Sequence, residues 1–388
     1  METPTYRYNI NLLEQTLQVA IAESSQHGYN LHYAVKANSN AKILEIIAKS
    51  GIGADCVSGN EIRAALSAGF KPNSIVFAGV GKTNTEIELA IHSKIQCIHI
   101  ESFEELLVVN ELASFNQIVM PIALRLNPNL DAGTHKYITT GTSHNKFGLS
   151  TQELSEAVRI MPTLKSVRLI GFHFHIGSQI LDMSKFEQLA QYANKIYTNF
   201  QHLGLTYINL GGGLGIDYEN PTENSIPEFK NYFGTFANNL NIGKGISVHF
   251  EPGRSLVGQS GELITRVLYV KRGDTRSFAV VDAGMNDLIR PALYQAKHSI
   301  YTLQATSGLS EEYDIVGPIC ESSDVFGTSI KLPKLMRGDL LAIRSTGAYG
   351  ESMSSRYNLR NLTPSIYDTI DHHSTADTQC QQLTTNLL

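Results

Sequence analysis

Short apolar runs alternate with amphipathic stretches over the first two thirds of the chain. The runs are LHYAVKAN, IGADCVS, SIVFAG, QCIHIES, IALRLNP, LIGFHFHIGS, YINLGGG and ISVHFEPG. Between them stand AKILEIIAKS, NEIRAALSAG, TEIELAIHS, SFEELLVVNELA, TQELSEAVRIM and MSKFEQLAQYANKIYTNF. The first set reads as buried strands. The second repeats apolar residues every three or four positions and reads as helices. Strand alternating with helix builds right-handed βαβ units and a parallel sheet. Eight such strands fall between about residue 31 and residue 253, which suits a (β/α)8 barrel better than an open sheet.

The rhythm changes after residue 260. GELITRVLYVKR, RSFAVVDAG, EYDIVGPICES and DLLAIRSTGAYG are strand-like, with polar turns and little helix between them. The expected fold class is therefore α/β, a TIM-type barrel over residues 27–260 with a mostly β domain over 261–388. Residues 1–26 open on the strand-like TYRYNI and are assigned to the β domain, their strand joining its sheet. The polar stretch from about 371 to 388 holds His372, His373 and Cys380 and reads as an unstructured end.

Composition narrows the function. Of 388 residues, 42% are hydrophobic and 17% charged, the balance of an ordinary globular protein. A net charge of -5 argues against nucleic acid or an anionic membrane as partner. Cys56, Cys97, Cys320 and Cys380 form no CxxC pair, so neither a disulfide scaffold nor a zinc site is expected. METPTYRYNI lacks the basic-then-apolar pattern of a secretion signal, and no run approaches a membrane span. A cytoplasmic enzyme for a small molecule is the expectation.

Barrels of this kind carry their sites where the strands end. Read in order, those ends offer Lys36, Asp55 with Ser58, Glu101, Asn127, His175 with Ser178, Gly211–Gly213, and Glu251 with Arg254. Lys36 alone could be a lysine reaching out to the rim. A desolvated amine is also a better nucleophile toward carbonyls. NLGGGLG leaves backbone N–H groups uncovered, as a phosphate requires. It does not have dinucleotide-binding spacing, and its plain reading is a tight turn. His173 and His175 share a strand face. No further cluster with metal-ligand spacing accompanies them, so no metal is expected. An imidazole there can stack on an aromatic ring, and Ser178 can donate to a phosphate. Glu251 can hold a pyridine nitrogen protonated, or merely pair with Arg254. In the β domain, GPICESSD gathers Cys320, Glu321 and Asp324, and GAYG carries Tyr349. Each of those is a loop when taken alone. A nucleophilic lysine, a phosphate loop, a stacking histidine and a carboxylate for a ring nitrogen together describe pyridoxal 5′-phosphate.

The chain also resembles a known family over nearly its whole length, from YRYN to MSSRYN. It is similar to the diaminopimelate decarboxylases, pyridoxal phosphate enzymes with an alanine-racemase-like barrel and a β domain. The shared motifs are YAVKAN, GADCVSGNEI, HKYITTG, NKFG, HFHIGSQ, NLGGGLGIDY, EPGRS, LIRPALY, CESSDVF and GAYGESMSS. The resemblance implies that Lys36 is the Schiff-base lysine, that His175 stacks on the cofactor ring and that Glu251 faces its nitrogen. Ser178, Gly213, Arg254 and Tyr349 hold the phosphate end, with Asp55, Gly212 and Gly253 completing the cofactor set. Arg254, Arg290, Tyr294, Glu321 and Tyr349 grip the substrate. The family implies a homodimer with shared active sites, in which CESSD reaches into the partner's site. Cys320 or Lys36 then returns the proton after decarboxylation, and sequence does not choose between them. The implied reaction converts meso-2,6-diaminopimelate to L-lysine and CO2, the last step of lysine biosynthesis. Arg290 and Tyr294 suit a distal carboxylate and Glu321 a distal amine. The rivals are decarboxylation of D-ornithine, D-lysine or carboxynorspermidine, amino-acid racemisation, and non-enzymatic carriage of the cofactor.

Overall fold

The computed structural model describes residues 1–130, 145–304 and 310–368. Strand β1 (Thr5–Asn9) leads into helix α1 (Ile10–Ser25). Strands and helices then alternate: β2 (Asn30–Ala34), α2 (Ala41–Lys49), β3 (Gly53–Cys56), α3 (Gly59–Ala68), β4 (Ile75–Phe77), α4 (Asn84–His92), β5 (Cys97–Ile100) and α5 (Phe103–Phe115). They continue through β6 (Met120–Leu126), α6 (Thr151–Ile160), β7 (Val167–Phe174), α7 (Met183–Asn199), β8 (Tyr207–Asn209), α8 (Phe229–Asn239) and β9 (Ser247–Phe250). Strands β2 to β9 pair in parallel and close, with β2 against β9. The barrel expected from the alternation is present, and each of the eight apolar runs supplies one strand.

Local chemistry starts the helices. Ser58 and Ser102 accept backbone N–H groups at the heads of α3 and α5, and capping boxes on Thr83 and Ser150 open α4 and α6. Helix α8 was not among the expected elements. Its Gly and Asn content hides a face of Phe229, Tyr232, Phe233 and Phe236, all buried at helical spacing. Phe250 of β9 packs edge-on against that face, 5.2 Å from Phe233 and 4.9 Å from Phe236.

The barrel interior departs from the usual filling of branched aliphatics. His32, Asp55, His99, Arg125, His173, Asn209 and His249 are all buried. Midway along β2, His32 Nδ1 meets the Ser74 carbonyl at 3.1 Å, and His32 Nε2 meets His249 Nδ1 of β9 at 2.8 Å. His249 Nε2 lies 3.0 Å from the Ser247 hydroxyl. The carbonyl can only accept, so His32 donates to it and accepts from His249. Burial drives both rings toward the neutral form, His32 down to about 4 and His249 to about 2.

Two compact units divide the chain. One comprises Thr16–Asp217 and Thr222–Gly258, the other Met1–Gln15, Tyr218–Pro221 and Gln259–Leu388. In the first, β9 is followed by the short helix α9 (Arg254–Val257). The second contains β10 (Gly261–Arg272), β11 (Ser277–Val281), α10 (Arg290–Tyr294), β12 (Ile300–Thr302), β13 (Ser310–Val316), β14 (Val325–Pro333), β15 (Leu340–Ile343) and β16 (Ser365–Asp368). The sheet runs β12-β15-β10-β11-β13-β14, and β1 pairs antiparallel with β10 and parallel with β16. The strand-like runs recognised in the sequence became β10, β11, β13 and β15. β12 and β16 are too short to carry a pattern, and Gly327 and Pro333 interrupt the one in β14.

Candidate active site

Lys36 does not end β2. It sits two residues beyond, in the short 3-10 turn Val35–Ala37. The Tyr33 hydroxyl donates to the Asn38 carbonyl at 2.9 Å, and Asn38 Oδ1 accepts the Asn40 N–H at 2.9 Å. Asn38 thus folds the turn that presents the lysine. The ammonium stands 3.4 Å from Asp55 Oδ2, with the lysine side chain 38% exposed and the aspartate 1%. Asp55 Oδ1 is buried and has no hydrogen-bond partner among the described residues. Burial and the nearby Glu251 push the Asp55 carboxyl up, and Lys36 pulls it back.

Glu251, directly after β9, is braced from two strands. Its Oε1 accepts from Asn209 Nδ2 at 2.7 Å, and its Oε2 lies 3.0 Å from His173 Nε2. His99 Nδ1 stands 3.6 Å away, and the His99 and His173 rings stack at 4.1 Å. Burial pushes the Glu251 carboxyl up to about 7, against the pull of Lys36 and Arg125. Burial also drives His173 down to about 3. A carboxyl poised near neutrality shares a proton readily with a ring nitrogen. The sequence showed no companion for the HxH histidines, yet the fold brings His99 from β5. His99, His173 and Glu251 present three ligand-type atoms within 4.8 Å. Tyr207 and Asn209 already engage this cluster, the Tyr207 hydroxyl lying 3.0 Å from His99 Nε2. It reads as a brace for Glu251.

His175 follows β7, and its Nδ1 accepts the Gly212 N–H at 3.3 Å. Burial, then Lys36, drive it well below the usual imidazole range. The glycines are obligatory. Gly211 and Gly213 have φ of +68° and +113°, and a Cβ on Gly212 would lie 2.2 Å from the Glu251 carbonyl oxygen. A Cβ on Gly253 would press at 3.0 and 3.1 Å on Ala34 and Ala37, which flank Lys36. Arg254 is buried and donates to the Ser178 hydroxyl from Nε at 3.3 Å and Nη2 at 3.0 Å. Glu251 and Arg254 therefore engage different partners. Ser58, read at the rim, caps α3.

Sequence reasoning passed over Arg125, Lys82 and Asn209. Arg125 Nη1 donates to Glu101 Oε1 at 2.5 Å. Glu101 also accepts the N–H of Gly79 at 3.1 Å and of Gly148 at 3.0 Å, so one carboxylate ties three strand-end segments. Lys82 is buried among the carbonyls of Gly79 and His99 and the Glu105 carboxylate. Burial raises Glu101, but the Arg125 and Lys82 cations outweigh it and hold the carboxyl low. Glu101 stood in the list of strand ends; Arg125 and Asn209 were hidden inside apolar runs. Of the motifs, HKYITTG (135–141) lies outside the described residues, as do 371–388.

The remaining predicted residues belong to the β-rich unit. Arg290 opens α10 and is buried, with Nη1 2.8 Å from His298 Nε2. Tyr294 closes the same helix, half-buried. Cys320 and Glu321 are exposed, and Glu321 Oε1 accepts from the Tyr357 hydroxyl at 2.6 Å. Asp324 is structural: its carboxylate takes the N–H groups of Met285 and Ile319 and folds the CESSD turn. Tyr349 adopts φ of +57° between its glycines.

Known proteins agree with this geometry. Residues 14–258 match the family described as pyridoxal-dependent decarboxylase, pyridoxal binding domain. A diaminopimelate decarboxylase from Bacteroides thetaiotaomicron is 51% identical, covering 93% of this chain and 94% of its own length. One from Helicobacter pylori is 43% identical over 92% of this chain and 88% of its own. The crystal structure of diaminopimelate decarboxylase from Helicobacter pylori complexed with L-lysine superposes with a TM-score of 0.90 at 41% identity, covering 95% of this chain and 92% of that one. The chain belongs to the pyridoxal-dependent decarboxylases, in the diaminopimelate decarboxylase family.

Proposed function

We propose that the chain decarboxylates meso-2,6-diaminopimelate to L-lysine and CO2 with pyridoxal 5′-phosphate, closing lysine biosynthesis. The observation that carries this is the carboxyl of Glu251, braced by Asn209 and His173 and pushed up to about 7, across the rim from a lysine beside Asp55. The residues fit the cofactor. Lys36 is the amine that would hold it covalently, and the orphaned Asp55 Oδ1 offers a buried acceptor. The Gly211–Gly213 cradle has no room for a Cβ, and Ser178 and Arg254 stand ready for a phosphate. When bound, the cofactor supplies an electron sink for the pair left by the departing carboxylate.

The chain's own groups do the rest. Glu251 holds a proton toward the ring nitrogen. His175, kept neutral by burial, offers a flat face rather than a charge. Arg254 grips phosphate and substrate, with Gly212, Gly213, Gly253 and Tyr349 shaping the phosphate end. Arg290 and Tyr294 take the distal carboxylate and Glu321 the distal amine, a pairing that a substrate with a cationic end alone does not satisfy. Cys320 or Lys36 returns the proton. The enzyme is a cytoplasmic homodimer with shared sites; no helix among the described residues is long and apolar enough to cross a membrane.

Incubating the purified protein with pyridoxal phosphate and meso-diaminopimelate should yield lysine and CO2. Faster turnover of D-ornithine, D-lysine or carboxynorspermidine would displace that substrate. Inversion of the amino acid without CO2 release would make it a racemase, and no turnover by loaded protein would leave a carrier.

A further inference from the structure

Arg290 is held on two sides. Its Nη1 lies 2.8 Å from His298 Nε2, and its guanidinium carbon lies 4.7 Å from the centre of the Tyr218 ring. His298 Nδ1 lies 2.7 Å from the Arg344 backbone carbonyl. Tyr218 meets the His298 ring edge-on at 5.1 Å and 79°. Arg290, His298 and Arg344 are all buried.

The chemistry of the neighbours fixes the imidazole. A carbonyl only accepts, so Nδ1 carries the hydrogen. A guanidinium only donates, so Nε2 must present its lone pair. Only the neutral ring in that one tautomer satisfies both partners. The carbonyl itself is anchored: Arg344 follows β15, and its Nε lies 3.2 Å from Glu262 Oε1, which also accepts from the Tyr301 hydroxyl at 2.8 Å. One end of the guanidinium is thus referenced to the sheet through two hydrogen bonds, and one face rests on an aromatic ring.

We infer that His298 is a positioning residue for recognition of the substrate's distal carboxylate. It acts through Arg290, turning the guanidinium so that its other N–H groups are presented together, with Tyr218 as the stacking face. An arginine side chain has many rotamers, and fixing it before binding removes an ordering cost from each association. The inference rests on the reading that Arg290 takes the distal carboxylate.

Three holoenzyme variants separate positioning from packing. His298→Leu removes both hydrogen bonds. His298→Asn keeps a donor near Nδ1 but loses the acceptor at Nε2. His298→Gln places an amide oxygen close to Nε2. The readouts are KM and kcat for meso-diaminopimelate, and inhibition by L-lysine, which carries the distal carboxylate, and by 1,5-diaminopentane, which does not. His298→Leu and His298→Asn should raise KM and the L-lysine inhibition constant together by about tenfold, as expected for a disturbed hydrogen bond to a charged group. The kcat should fall by less than KM rises, inhibition by 1,5-diaminopentane should not move, and His298→Gln should recover most of the loss. Wild-type KM in His298→Asn, or equal weakening of both inhibitors, overturns the inference. Should His298→Leu fail to fold, the Asn and Gln variants decide. Arg290→Gln is the control: if it leaves L-lysine inhibition unchanged, the reading of Arg290 falls. If it weakens L-lysine inhibition while the His298 variants do not, only the role of His298 falls.

Discussion

A carboxyl group with a neutral-range pKa in the heart of a barrel has a measurable signature. Burial raises Glu251 from 4.5 to about 7. Its neutral form therefore stabilises the cofactor-free fold fully below about 4.5, and that contribution is lost as pH rises through about 7. Glu251→Gln removes the titration. Between pH 5 and 8.5, cofactor-free wild type should lose on the order of 2–3 kcal/mol relative to the variant. Denaturant unfolding of both proteins at each pH measures the difference, and parallel losses would mean that Glu251 ionises freely. Lys36 gives a second test. Borohydride reduction of the loaded protein followed by peptide mapping should place the cofactor on residue 36, and Lys36→Ala should retain no label. A label elsewhere would assign the cofactor to another lysine.

At the level of elements, the strand-end glycines couple the site to the fold. A Cβ on Gly212 would fall 2.2 Å from the Glu251 carbonyl oxygen, so one methyl forces β8 and β9 apart where they present Asn209 and Glu251. Gly212→Ala should cost about 1–3 kcal/mol of stability and weaken pyridoxal phosphate binding at the same time. Urea unfolding and cofactor titration on one sample check both, and unchanged cofactor affinity would refute the coupling. The same elements show what a sequence can disclose. All eight barrel strands were legible because parallel strands buried on both faces leave unbroken apolar runs. Lys36, His175 and Glu251 were legible because polar residues at the ends of such runs stand out. His99, Arg125 and Asn209 were not, because each lies within or beside an apolar run, and only barrel closure shows what it faces. Helix α8 was missed because its buried aromatic face is broken by Gly234 and several asparagines.

For the whole molecule, shared sites in a homodimer are the proposal with the sharpest test. Cys320 and Glu321 lie exposed on the CESSD turn, which Asp324 holds in shape. Lys36→Ala and Cys320→Ala subunits should each be inactive alone and regain part of the activity when mixed. Tandem purification of differently tagged subunits first verifies the heterodimer; no recovery within it would count against cross-subunit chemistry. The buried His32–His249 pair within the barrel strands carries a different consequence. Both rings must stay uncharged, so their support is complete above pH 6.5, where an unfolded histidine titrates, and is lost as pH falls toward about 4. His249 lies two residues before Glu251, and its ring stands 4.4 Å from that of Tyr207, whose hydroxyl meets His99 of the Glu251 brace. The enzyme thus has an acid limit written into its barrel. Engineering it for a sour process would begin by exchanging this pair for two well-packed apolar side chains.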